Sequence, residues 1–257
     1  MQNLKVNYVD THCHLDLYKD VREVLLEAER IGVFILGVTN TPSVFPYTEN
    51  LSKQYSHVAA AIGLHPELIL QRKHELPQMW EYLKGTKYVG EIGLDYVTTD
   101  QNVRHIQREI FKQIIDRCAQ YPDKVLTVHS RRSASDVIEI IGNRFPGKII
   151  LHWFSGSNKE ADAAIVNGYY FSFNSSMVQS KSGKSLALRI PKDKLLTESD
   201  GPFISFEGIP VQPNNIPSVV ESLAEILDMG TTKVRQQIWT NYLSITGNSL
   251  INPPLTT

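Results

Sequence analysis

The chain of 257 residues carries 26 Lys and Arg against 27 Asp and Glu, a formal net charge of −1, with 42% apolar and 21% charged residues. Length and ordinary composition suit one globular barrel with a sizeable core, and the near-zero charge excludes bulk basicity as a source of nucleic-acid affinity, so a local patch would have to supply it. Two cysteines, Cys13 and Cys118, make no disulfide framework, the opening MQNLKVNYVD lacks the features of a signal peptide, and no run approaches the roughly 18 apolar residues of a spanning helix, so a reducing cytoplasm is the expected compartment.

Short β-branched or apolar runs alternate with longer amphipathic segments, the pattern of repeated βα units. In chain order the sequence predicts a strand over 6–12, a helix over 20–31, a strand over 33–39 and a helix over 43–55 that carries Pro46. Strands follow over 58–63 and 88–92, then a helix over 103–119, a strand over 124–129 and a helix over 133–144. A strand over 148–152, a helix over 158–166, strands over 169–173 and 194–198, and helices over 216–227 and 232–242 complete the pattern. Eight strands with helices between them predict a single (β/α)₈ barrel of the α/β class. An open doubly wound sheet is the alternative, because strand 169–173 is weak and Pro46 interrupts the second helix. One barrel domain is expected over 1–250, with 208–217 as a long strand-to-helix loop and 251–257 as a frayed tail.

The chemistry gathers at strand ends, where parallel barrels build their active sites. In Asp10-Thr11-His12-Cys13-His14, residues two apart share a face, so His12 and His14 converge while Cys13 points away as a core filler. Two imidazoles at that spacing can share a divalent cation, although His-x-His alone is a weak signal. Glu91, in Gly90-Glu91-Ile92-Gly93, is a carboxylate in buried company that could bridge two ions, since unpaired burial is costly. Asp95 is either a loop cap or a hydrogen-bond partner that orients a ligand histidine. His129 and His152 end two apolar strands at equivalent positions, and Asp200 follows the last strand, where it could bind metal and take a proton from an attacking water. Singly each has a bland reading; together, six metal-competent groups end five of the eight predicted strands.

DTHCHLD, GLHPE, GEIGLDY, HSRRS, HWFSGS and ESDGP, in this order and spacing from residue 8 to about 245, resemble the TatD-related metal-dependent deoxyribonucleases. The resemblance implies a TIM barrel of the metallo-dependent hydrolase type with two divalent ions (Zn, Mn or Mg): His12, His14, Glu91 and Asp200 at one, and Glu91, His129 and His152 at the other. LDLY, VTNTP, HSRRS, HWFSGS and SSMVQSKSGK further resemble the TatD-type proteins of the bacterial Qat anti-phage system, which implies a defence role and association with other Qat proteins. Departures fall in substrate loops: Tyr96-Val97 replaces an aromatic pair, and Glu207-Gly208-Ile209-Pro210 replaces the usual Arg-Gly context.

Two cations about 3.5–4 Å apart can clamp the attacking and leaving oxygens of a phosphodiester and activate a water. In that scheme Glu91 bridges, Asp200 deprotonates the water, and His65 contacts the phosphate or donates a proton, unless it is simply a loop histidine. Arg131 is a candidate phosphate grip, whereas Arg132 reads as solvated. Lys181 and Lys184, in a glycine-containing loop after strand seven, are candidates to hold a nucleic-acid backbone, a solvated loop being the competing reading. Beside His152, Phe154 is the candidate for stacking on a base, with Trp153 expected to pack on the barrel. The rival functions are an amidohydrolase or deacylase on the same scaffold, which Glu91 in place of a bridging lysine disfavours, and a non-catalytic component of a defence assembly.

Overall fold

The structure, a computed structural model, describes residues 7–247. Strands buried on both faces of a parallel sheet read as continuous apolar runs, and such runs form the sheet here. They are β1 (Tyr8–Cys13), β2 (Val33–Gly37), β3 (Val58–Ile62), β4 (Tyr88–Gly93), β5 (Val125–His129), β6 (Lys148–Leu151), β7 (Tyr170–Phe173) and β8 (Leu195–Thr197). Each is hydrogen-bonded to the next in chain order, and all neighbouring pairs are parallel.

Closure decides between barrel and open sheet. No ladder pair joins β1 to β8 among the described residues, yet the two strands lie side by side. The Thr11 hydroxyl donates to Thr197 O at 3.1 Å, while Asp200 N donates to His12 O and His14 N to Gly201 O, both at 2.9 Å. These bonds complete a nearly closed eight-stranded barrel and exclude the open sheet, whose terminal strands would be apart. The weak strand forms as β7, with Phe171 opposite Leu195 and Phe173 opposite Thr197. Phe111, Phe171 and Phe173 are fully buried, each stabilising the fold by about 1.5–3 kcal/mol.

Local signals explain most helices. In α1 (Val21–Ile31), Asp20 caps the start by accepting from Glu23 N, and Gly32 ends it in the left-handed region at φ 85°. Pro46 does not break α2 (Phe45–Gln54), because it sits in the first turn where an amide has no helical partner. The helices α3 (Ile69–Arg72) and α4 (Leu76–Gly85) were not expected; Pro77 again occupies a helix start. Asp100 caps α5 (Gln101–Cys118), which buries Ile110, Phe111, Ile114 and Ile115 against the barrel. α6 (Ala134–Ile141) and α7 (Asn158–Val166) follow, the latter opened by a Ser157–Glu160 capping box.

The segment after β7 is not the expected loop but two helices, α8 (Ser175–Gln179) and α9 (Lys181–Arg189). The expected loop at 208–217 is partly ordered: β10 (Ile209–Pro210) pairs antiparallel with β9 (Ser205–Phe206) just before it, and α10 (Ile216–Ile226) and α11 (Thr231–Thr246) follow. The expected tail at 251–257 and the start of the first strand at residue 6 lie outside the described residues. No described helix is long and apolar enough to cross a membrane.

Candidate metal centre and active site

Because all eight strands are parallel, their C-terminal ends share one mouth, and there the structure brings His12, His14, Glu91, His129, His152 and Asp200 together. His12 sits one residue before the end of β1, with Nδ1 2.7 Å from Thr127 Oγ1, which turns Nε2 toward the mouth. His14 lies one pleat further on. Cys13 between them is fully buried, and its thiol is pushed up by that burial.

Glu91 divides the cluster. Its Oε2 lies 3.4 Å from His12 Nε2 and 3.3 Å from His14 Nε2, while Asp200 Oδ1 lies 3.8 and 3.7 Å from the same two nitrogens. Its Oε1 lies 2.7 Å from His129 Nδ1 and 3.0 Å from His152 Nε2. Oε2 thus faces His12 and His14, while Oε1 faces His129 and His152, with His65 also within reach of it. The glycines beside Glu91 are what permit this: a Cβ at Gly90 would stand 2.1 Å from Thr127 Cγ2, and one at Gly93 2.0 Å from His129 O. Only without those carbons can β4 press Glu91 this close to β5. Asp200 reaches the cluster from a left-handed backbone, φ 49°, pinned by its N–H to His12 O.

Carboxylates behind the cluster orient it. His129 Nε2 lies 2.8 Å from Asp95 Oδ2, while Asp95 Oδ1 accepts from Val97 N at 2.8 Å, so Asp95 both caps the loop and holds the imidazole. His152 Nδ1 lies 3.5 Å from Glu198 Oε1. Glu198 is fully buried and accepts from Trp153 N at 3.0 Å, from Asn174 Nδ2 at 2.9 Å and from the Ser172 hydroxyl. Glu198 and Thr127 are orienting groups that sequence reasoning missed. Glu198 stands two residues before Asp200, so it emerges from the same strand end, but its partners lie at or just beyond the ends of β6 and β7.

The electrostatics follow from this crowding. Burial opposes charge on His14, yet Asp200 and Glu91 raise it to about 9. Burial likewise opposes charge on His152 and His129, and the carboxylates facing each outweigh it; Glu198 and Glu91 take His152 well above the imidazole range. Burial alone would raise Glu91, but His65, His152 and His12 hold it well below the usual carboxylate range. His12 is the exception, lowered by burial and by the His152 ring stacked 3.7 Å from its own.

His65 is held differently. Its Nδ1 accepts the Glu67 backbone N–H at 3.2 Å, which places the ring proton on Nε2, 3.4 Å from Glu91 Oε1. His65 therefore points a donor into the mouth. Above the cluster opens a cavity of about 540 Å³, bordered by Asn40, His65, Arg131, Trp153 and Phe203.

Of the other expected contacts, Phe154 needs correction. Phe154 does not reach the cavity: it is only 3% exposed and packs edge-to-face on Phe171, ring centroids 5.3 Å apart. Trp153 is the ring that lines the mouth, because its φ of 38° turns the chain over at the end of β6. Lys181 and Lys184 are exposed on α9 and do not border the cavity. Arg131 borders it, whereas Arg132 is exposed.

The donor set fits divalent cations. His12 Nε2 and His14 Nε2 are buried with no hydrogen-bond partner among the described residues. Ligand-capable atoms converge in three groups, His12–His14–Asp200, His12–Glu91–His152 and His65–Glu91–His129. Imidazole and carboxylate donors at one point suit Zn²⁺ or Mn²⁺.

A parallel barrel with such a cluster at its C-terminal mouth is a TIM barrel of the metallo-dependent hydrolase type. The family model described as TatD related DNase matches residues 9–247, and the chain belongs to that family. An uncharacterized metal-dependent hydrolase of Bacillus subtilis, YabD, is 30% identical over 235 residues, spanning 86% of this chain and 91% of that protein. Human deoxyribonuclease TATDN3 is 26% identical over 265 residues, spanning 95% of this chain and 96% of its own. The crystal structure of YJJV, a TatD homolog from Escherichia coli K12, superposes with a TM-score of 0.85 at 24% identity, covering 93% of this chain and 98% of that one, a likeness of fold.

Proposed function

We propose that this metal-dependent hydrolase is a deoxyribonuclease that holds two divalent cations, one on each side of Glu91. The observation that carries the reading is the division of imidazoles between the two oxygens of one buried carboxylate. His12, His14, Glu91 and Asp200 would hold one ion, and Glu91, His129 and His152 the other. When bound, the ions lower the pKa of water and neutralise phosphate charge. Asp200 accepts the proton of the attacking water, and the Nε2–H of His65 donates to a phosphate oxygen. Arg131 offers a guanidinium to the phosphate from the cavity wall. Asp95 and Glu198 keep His129 and His152 aimed. DNA as substrate is supported by the family description and by the human relative's name.

The deciding experiment assays the purified chain, metal by metal, on 3′- and 5′-labelled single- and double-stranded DNA, beside N-acyl and ester substrates. DNA cleavage abolished in folded His129→Ala and Asp200→Asn variants supports the reading. Full activity in either variant overturns it. A defence role alongside Qat proteins in the cytoplasm rests on the sub-motifs LDLY, VTNTP and SSMVQSKSGK. It predicts that Asp200→Asn abolishes phage protection and that partner proteins co-purify with the chain.

A further inference from the structure

Among the described residues, eleven large apolar side chains are exposed, and of these only Trp153 (38%) and Phe203 (59%) border the cavity. They come from the loops after β6 and β8. Neither is a casual surface residue. Trp153 occupies a left-handed backbone that a bulky side chain rarely adopts, and its N–H is tied to the fully buried Glu198. Phe203 meets the His14 ring edge-to-face, centroids 4.8 Å apart, so one edge covers a metal-competent imidazole while the rest faces the cavity. Asn40 and Ser130 border the same cavity, and their side-chain oxygens, Asn40 Oδ1 and Ser130 Oγ, are buried without a hydrogen-bond partner among the described residues. Rings held outward at the mouth, with unpaired polar atoms beside them, match a planar ligand that has a polar edge.

We propose that Trp153 and Phe203 form a nucleobase subsite, stacking on the base that adjoins the scissile phosphate, with Asn40 and Ser130 facing its polar edge or sugar. The subsite rests on the nuclease reading above and deepens it, naming which part of the substrate this chain grips beyond the phosphate. Stacking tolerates any base, so the subsite gives affinity for a base without reading sequence.

The test separates the subsite from the chemistry. Binding of a fluorescently labelled single-stranded oligonucleotide to the full, metal-free chain is measured by anisotropy, against the same oligomer made abasic at its terminal positions. Trp153→Ala and Phe203→Ala are each expected to weaken binding of the base-containing oligomer by about 5- to 100-fold while leaving the abasic one nearly unchanged. Trp153→Phe keeps a ring and recovers most of the affinity. Equal losses on both oligomers, or no loss on either, overturn the subsite, because the rings then contribute no base contact. Cleavage by the metal-loaded wild type is scored separately. A chain that binds with base dependence but cleaves no nucleic acid refutes the nuclease reading and leaves the base contact established.

Discussion

Removing the Glu198 carboxylate strands three donors at once. The Trp153 N–H, the Asn174 amide and the Ser172 hydroxyl all end on it, and the site is fully buried. Each buried donor left unpaired costs about 1–3 kcal/mol, but three that converge on one space can share a water that enters the vacated volume. Glu198→Ala is therefore expected to destabilise the metal-free protein by about 3–6 kcal/mol. Glu198→Gln preserves the shape: its amide oxygen still accepts from Trp153 and Asn174, its NH₂ meets Ser172, and the hydroxyl rotates to accept. Its expected cost is about 1 kcal/mol. Equilibrium urea unfolding of the metal-free variants, at matched m-values, measures both. A Glu198→Ala cost under about 1 kcal/mol, or equal costs for the two variants, refutes the claim that this carboxylate organises the β6–β8 rim.

Two further predictions concern the same mouth. His14 is held up to about 9, so in the metal-free chain it is an imidazolium at neutral pH and must lose its proton to become a ligand. Metal affinity should therefore rise with pH toward that value, by roughly 50-fold between pH 7 and 9 for this proton alone, with proton release visible by calorimetry in buffers of different ionisation heat; a pH-independent affinity contradicts this. Phe154→Ala should cost about 3–5 kcal/mol of stability because its ring fills the space beside Phe171, whereas Trp153→Ala should stay within about 1 kcal/mol; thermal and urea unfolding of the pair would expose the assignment as wrong if the order were reversed.

What the sequence reveals depends on how local the cause is. The barrel strands are legible because burial on both faces makes them uninterrupted apolar runs, such as VLTV before His129. The ligand candidates are legible for a related reason: polar residues at the ends of such runs have few bland roles, and six of them converge. The rule that alternate strand residues share a face fails where the strand stops. β6 ends at Leu151, the chain turns over at Trp153, and the two rings after His152 exchange places relative to expectation. The helices after β7 are hidden by serines and a glycine at 180–183 that look like loop residues but act as a cap, with Ser180 Oγ accepting from Gly183 N at 3.0 Å. Glu198 is illegible for a third reason, since Ser172 and Asn174 meet it only through the pairing of β7 with β8.

The metal content of the purified chain bears most directly on the arrangement around Glu91. Titration with Zn²⁺ or Mn²⁺, followed by mass-spectrometric counting of bound ions, should give two per chain for the wild type, one for His14→Ala and one for His152→Ala, with Glu91→Gln weakening both. A single ion in the wild type, retained unchanged when His152 is removed, would mean that the two oxygens of Glu91 do not divide the cluster into two sites.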